Sequence, residues 1–179
     1  MGLKLLGISG SLRKASTNTG LLRAFSTFGS EVGFEMTMLD YLDVPMYNQD
    51  VEDLGNPESV ERVRLSISEA DGIVFACPEY NGYFSAALKN LIDWGTRKTN
   101  IWSGKRFMIV TAGGGGGGSR GQKQLIELMG NIKGVFVETG PVNVKIFGQP
   151  PVVDFATGDI TDTELIAGLG AAARAFAKS

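Results

Sequence analysis

The chain of 179 residues has no histidine and a single cysteine, Cys77. Without histidine there is no Ser-His or Cys-His nucleophile pair, and the commonest ligand of zinc, copper and non-haem iron is missing. One cysteine excludes an intrachain disulfide and fits a reducing compartment. No apolar run approaches the ~20 residues of a membrane span. Lys4 interrupts the first apolar stretch, so no signal-peptide pattern is present. Position six is Leu6, where myristoylation calls for Ser or Thr. Nor is there an excess of one charge: 17 basic residues face 19 acidic ones, which argues against a nucleic-acid surface. The expected compartment is the cytoplasm, with no nucleic acid, membrane or metal as partner. Carboxylates, Lys, Arg and Tyr remain for chemistry, and the absences favour an organic cofactor.

What is present is concentrated in Gly10-Ser11-Leu12-Arg13-Lys14-Ala15-Ser16-Thr17-Asn18. An apolar run from Leu3 to Ile8, broken only by Lys4, precedes it and reads as a buried strand. Leu21, Leu22, Phe25 and Phe28 follow it as the stripe of an amphipathic helix. A phosphate at this turn would meet backbone N–H groups, the positive end of the helix dipole and the guanidinium of Arg13. The plainer alternative is a helix capped by Ser16 or Thr17 with no ligand. A nucleoside-triphosphate loop would end in Gly-Lys-Ser/Thr, and a dinucleotide fingerprint needs three spaced glycines where only Gly7 and Gly10 stand. Hydroxyls in place of glycines suit one terminal phosphate, as on a flavin mononucleotide.

Neither a 20–50-residue repeat nor a linker divides the chain, so one domain over 1–179 is expected. Strand and helix alternate. Phe34 to Leu39 has the period-2 pattern of a half-exposed edge strand. Asn56 and Pro57 open a helix striped by Val60, Val63, Ile67 and Ala70. Gly72 to Cys77 is a continuous apolar strand, and Phe84, Ala87, Leu88, Leu91 and Ile92 form a helical stripe beginning near Ser85. Phe107 to Val110 is a fourth strand, followed by a helix around Leu125, Leu128 and Met129. A fifth strand spans Val135 to Glu138, and Thr161-x-x-Glu164 reads as the capping box of a last helix. This is the pattern of a flavodoxin-like, doubly wound α/β fold. Its five-stranded parallel sheet has the order 2-1-3-4-5 with helices on both faces. Ligands in such sheets sit beyond the carboxyl ends of the strands.

Two further loops reach that end. After strand three, Pro78-Glu79-Tyr80-Asn81-Gly82 offers a ring, a carbonyl and an amide, or else an ordinary polar turn. After strand four come six glycines, Gly113 to Gly118. Ordering them costs much chain entropy; they read as a floppy loop, as a backbone approach to a flat ring, or as both in turn.

Together the three loops resemble the NADPH-dependent FMN reductase family, a flavodoxin-like group that includes bacterial chromate, quinone and azo-dye reductases. The resemblance runs over roughly residues 3 to 140. It is carried by Gly10 to Lys14 with Ser16 and Asn18, by Pro78-Glu79-Tyr80-Asn81, and by Leu88-Lys89-Asn90-Leu91-Ile92-Asp93-Trp94. It implies that Ser11, Arg13, Ser16 and Asn18 bind the FMN phosphate, with Leu12 and Thr17 in the same loop. Pro78, Glu79, Tyr80 and Asn81 would line the isoalloxazine, and Gly113 and Gly114 would approach its other edge. The all-glycine loop departs from members that mix in Ser or Thr. The resemblance further implies NADPH or NADH as co-substrate, a homodimer or homotetramer, and quinone, azo, flavin or chromate-type acceptors served by a ping-pong mechanism. Trp94 and Trp102 read equally as subunit-interface aromatics or internal packing. No side chain is assigned as catalytic, because hydride transfer to a flavin needs no protein acid or base. The competing readings are a flavodoxin-type electron carrier and a flavin-binding regulatory or interaction protein. A Rossmann dehydrogenase ranks last, despite Asp40 after strand two.

Overall fold

The protein is described by a computed structural model over residues 2–147 and 151–179. Its elements in chain order are β1 (Leu3–Ser9), α1 (Thr17–Ser26), α2 (Gly29–Val32), β2 (Phe34–Met38), α3 (Gln49–Asp53), α4 (Glu58–Glu69) and β3 (Gly72–Ala76). There follow β4 (Glu79–Tyr80), β5 (Tyr83–Phe84), α5 (Ala86–Thr96), β6 (Arg106–Gly113), α6 (Ser119–Asn131), β7 (Val135–Phe136), β8 (Val142–Lys145) and α7 (Thr163–Lys178).

The main sheet is parallel throughout, in the order β2-β1-β3-β6-β7, with β8 also paired to β6. That is the flavodoxin order. Alternation along the central strands divides the core in two. Leu5, Val74, Ala76, Met108 and Val110 face α1 and α7, meeting Leu21, Leu22, Phe25, Leu169 and Phe176. Leu6, Ile8, Ile73, Phe75, Phe107 and Ile109 face α4, α5 and α6, meeting Val63, Ile67, Leu88, Leu91, Leu125 and Met129. Because β3 is buried on both faces, it reads as an unbroken apolar run.

Several expectations are corrected. The fifth strand is two strands. β7 pairs Val135 and Phe136 with Arg106 and Phe107, and β8 pairs Val142 to Lys145 with Val110 to Gly113. Between them Gly140 turns at φ +87° and Pro141 has no N–H for the ladder. Phe84 lies on β5, in a two-stranded antiparallel hairpin apart from the main sheet, and α5 starts after its cap Ser85. Phe28 lies outside α1, which ends at Ser26. The residue before α4 is Pro57, while Asn56 donates to Glu61 Oε1 at 2.6 Å. The cap of α7 is Asp162, which accepts from the Leu165 amide at 2.7 Å, one residue beyond the expected Thr161.

Both tryptophans are internal to the chain, each below 2% exposure. Trp94 donates to the Pro45 carbonyl at 2.8 Å and Trp102 to the Ile92 carbonyl at 3.2 Å. Asn90 shares the Pro45 carbonyl, so α5 holds down the long connection after β2.

Close packing sets different constraints on two helical glycines. A Cβ on Gly20 in α1 would fall 1.9 Å from the carbonyl oxygen of Gly158, a backbone atom that cannot swing aside. Gly168, exposed in α7, has nothing within 4 Å. Gly20→Ala is expected to cost about 1–3 kcal/mol by overpacking, while Gly168→Ala should gain about 0.5–1 kcal/mol through helix propensity. Urea unfolding of the two variants measures both signs.

Candidate active site

The strand order brings the ends of β1, β3 and β6 together, and the three loops singled out in the sequence leave from there. The turn after β1 is nested against the loop after β3. The Gly10 amide donates to the Ala76 carbonyl at 2.8 Å. A Cβ on Gly10 would lie 2.7 Å from atoms of Leu88, Pro78 and Ser85, so only glycine fits. Ser9 organises the turn: its Oγ accepts from the Ser11 amide at 3.3 Å and from the Thr19 hydroxyl at 2.8 Å. The Ser9 carbonyl accepts from the Tyr41 hydroxyl at 2.5 Å. Burial, reinforced by the neighbouring Tyr80, raises the Tyr41 pKa and keeps it a donor.

Ser16 caps α1, accepting from the Thr19 amide at 3.3 Å. The amides of Thr17 and Asn18 then stand at the helix start without intrahelical acceptors. Thr17 is buried, and its Oγ1 has no partner among the described residues. Such an orphaned hydroxyl in a buried turn is unfavourable unless a ligand or an ordered water satisfies it. Asn18, also buried, spans to β6: its Nδ2 donates to the Ala112 carbonyl at 3.0 Å and its Oδ1 accepts from the Ala112 amide at 3.1 Å. One amide hydrogen remains for other contacts. Arg13 and Lys14 are exposed and make no ion pair among the described residues.

After β3, Asn81 (φ +53°) and Gly82 (φ +83°) form the two-residue turn of the β4–β5 hairpin, which suits their preference for positive φ. Glu79 reaches across to α6, where its Oε2 accepts from the amides of Arg120 at 2.9 Å and Gly121 at 3.2 Å. It caps α6 in trans, since Gly118 at the cap position has no side chain to do so.

The six-glycine loop is tight at its ends and open in the middle. Gly117 and Gly118 have φ of +60° and +85°, and a Cβ on Gly118 would be 2.8 Å from Thr111. The Thr111 hydroxyl donates to the Gly117 carbonyl and accepts from Asn143 Nδ2 at 3.1 Å. A Cβ on Gly114, Gly115 or Gly116 would meet nothing closer than 3.9 Å.

A cleft of about 300 Å³ joins these loops. Ser11, Arg13, Ser16, Thr17 and Asn18 line one side, Pro78, Glu79 and Tyr80 the second, and Gly113 and Gly114 the third. Leu12 lies instead on a neighbouring cleft of about 230 Å³ toward Asp40 and Tyr41, which shares Ser11 and Arg13. Asn81 is at the hairpin tip, outside the cleft lining. Ala112 and Ile146 also line the cleft. Ile146 directly follows β8, a strand too short to show in the sequence pattern. Another cavity of about 270 Å³ involves Lys4, Glu35 and Glu69 at the amino ends of the strands, away from these loops. Among the described residues no cluster of His, Cys, Asp and Glu could hold a metal, and no helix is long and apolar enough to cross a membrane.

A parallel 2-1-3-4-5 sheet, with a turn of hydroxyls and helical amides after its first strand and bare backbone after its fourth, defines a flavodoxin-like α/β protein. The family model described as NADPH-dependent FMN reductase matches residues 3–149, and the chain belongs to that family. It is 41% identical over 170 residues to an NAD(P)H:quinone oxidoreductase of Solanum tuberosum, covering 90% of this chain and 84% of that protein. It is 39% identical over 143 residues to an NAD(P)H-dependent FMN reductase of Pseudomonas aeruginosa, covering 79% and 74%. Among solved structures, a flavoenzyme NAD(P)H:(acceptor) oxidoreductase of Paracoccus denitrificans superposes with a TM-score of 0.86 at 27% identity, covering 98% and 96%.

Two consequences are measurable. Burial, helped by the charge of Glu79, pushes the Cys77 thiol up to about 12. The native protein should therefore resist thiol reagents at pH 8, where the thiolate is the reactive form, and react fully once unfolded. Asn18→Ala would strand both polar groups of Ala112 and should cost about 1–3 kcal/mol in the flavin-free protein, read by thermal or urea unfolding.

Proposed function

We propose that the protein is an FMN-dependent NAD(P)H oxidoreductase that passes electrons to quinones, working as one domain over the whole chain. Its family membership and its likeness to quinone oxidoreductases over nine-tenths of its length support this reading. The structural observation that carries it is the buried Thr17 hydroxyl, without a partner among the described residues, in the turn that faces bare glycine backbone across one cleft.

The residues fit one FMN. Ser11, Ser16, Thr17 and the first amides of α1 supply donors for a single phosphate, and Arg13 supplies its counter-charge. Asn18 holds that cradle against β6 and has one N–H to spare. Pro78, Glu79 and Tyr80 would set backbone and a ring along one side of the flat group. At Gly113 and Gly114 the missing side chains let the backbone come close to its other edge. FMN, when bound, supplies the acceptance and return of hydride. The residues lining the cleft would orient it, and the chain has no histidine to take part in proton transfer. Alternate binding of nicotinamide and acceptor at this cleft would give ping-pong kinetics.

NADPH is the preferred donor in this reading, with NADH the alternative. Azo compounds, flavins and chromate-type oxyanions are further candidate acceptors. We also propose a homodimer or homotetramer, to which the exposed Leu42, Met46 and Leu54 on the connection after β2 would contribute apolar surface. A reduced compartment such as the cytoplasm matches the single buried thiol.

Anaerobic addition of NADPH to the FMN-loaded protein should bleach the flavin absorbance without any acceptor. Failure with both NADPH and NADH would replace the reductase with an electron carrier. Arg13→Ala should weaken FMN binding by about 1.5–3 kcal/mol while changing the stability of the flavin-free protein by less than about 1 kcal/mol. Titration of the apoprotein with FMN, and in parallel with riboflavin, isolates the phosphate contribution.

A further inference from the structure

Two phenylalanines stand in solvent beside the cleft. Phe147 is 78% exposed and Phe155 49%, yet their rings stack at 6.5 Å between centroids and 17° between planes. Phe147 directly follows Ile146, which lines the cleft and whose amide donates to the Gly113 carbonyl at 3.0 Å. A Cβ built on Gly114 would be 3.9 Å from the Phe147 ring, so the ring borders the open stretch of the glycine loop. Across the cleft stands Tyr80, 55% exposed at the start of the hairpin turn. The mouth of the cleft is thus flanked by an aromatic ring on each side, one of them backed by a second ring.

We propose that Phe147, supported by Phe155, is the specificity-determining wall that selects flat aromatic electron acceptors. The inference rests on the flavin-reductase reading above and names a residue for its acceptor half. A planar quinone lying over the flavin gains a stacking partner from the ring of Phe147. The two phenylalanines are hydrocarbon throughout, so they offer nothing to the phosphates of a nicotinamide nucleotide or to a charged inorganic complex. In the reaction the quinone takes a hydride from the reduced flavin and a proton from water, becoming the hydroquinone as the flavin returns to its oxidised form. Ferricyanide takes single electrons and needs no stacked pose. Phe147 touches no transferred atom; it acts on acceptor binding.

The experiment compares wild type, Phe147→Leu and Phe147→Tyr as FMN-loaded proteins, with menadione and ferricyanide as acceptors at saturating NADPH. The expected result for Phe147→Leu is a KM for menadione raised about 3–10-fold, the size of one lost aromatic contact, with kcat little changed. Phe147→Tyr should restore the wild-type KM. Anaerobic bleaching by NADPH and turnover of ferricyanide should match wild type in both variants. An unchanged KM for menadione in Phe147→Leu overturns the proposal, as does an equal loss toward both acceptors. A smaller assembly on sedimentation also overturns it, since Phe147 would then be a contact between copies of the chain. A wild-type protein that takes up no FMN, or is not bleached, defeats the underlying reductase reading instead, and that is seen before any variant is compared.

Discussion

The side-chain amide of Asn18 is the clamp on which the cleft depends. β1 and β6 are not neighbours in the sheet, since β3 lies between them. Without a direct tie, the turn after β1 and the loop after β6 would be related only through the twist of three strands. Asn18 supplies the tie by matching both the N–H and the C=O of Ala112, a two-point contact that fixes angle as well as distance. It is buried, so neither bond competes with water. The cap at Ser16, the hydroxyl of Thr17 and the approach of Gly113 are all positioned relative to that one contact. On the outer side the packing of Gly158 against Ser16 reinforces it. The nearby ion pair of Arg23 with Asp159 is roughly half exposed on both sides and adds little beyond direction.

A second constraint disciplines the glycine run. Six consecutive glycines would ordinarily be costly to order, yet only the middle of this loop is left open. Thr111 grips the Gly117 carbonyl, Asn143 from β8 holds both Thr111 and Gln122, and Glu79 secures the first amides of α6. The left-handed conformations of Gly117 and Gly118 then turn the chain into the helix without a side chain in the way. The loop is fastened from β8 on one side and from the β4 hairpin on the other, which leaves a short stretch of backbone facing the cleft.

Much of this was legible in the chain because it rests on periodicity. The alternation in β2, the unbroken apolar runs of β1, β3 and β6, and the stripes of α1, α4, α5, α6 and α7 follow from which faces are buried. A cap at Ser16 or Thr17 and a helix start near Ser85 are readable because capping is a local hydrogen bond, and the structure selects Ser16 and Ser85. Less visible were features decided by partners far along the chain. The Asn18 bracket joins residues 94 apart, and no local pattern distinguishes it from a residue reaching toward a ligand. β8 is four residues long and starts after a proline, too short for a periodic signal. The Asn81-Gly82 hairpin did carry a local signal, the preferred type I′ dipeptide. Strands of only two residues on either side give it no alternation to reinforce it. Phe147 and Phe155 meet only because the chain returns to the same place.

The broken fifth position of the sheet has a consequence for how the molecule behaves among other copies of itself. β7 covers only two residues at one end of β6 and β8 four at the other, with Met108 and Ile109 passed over between them. An incoming extended chain therefore finds no continuous row of amides and carbonyls on this side, only two short rungs separated by a glycine-proline corner. Lys145 places a charge at the far rung. An apolar parallel sheet is a natural template for adding strands, and interrupting its outer strand is one way proteins keep such a template from growing. The corner at Gly140 and Pro141 thus breaks the last rank of the sheet into two short pieces.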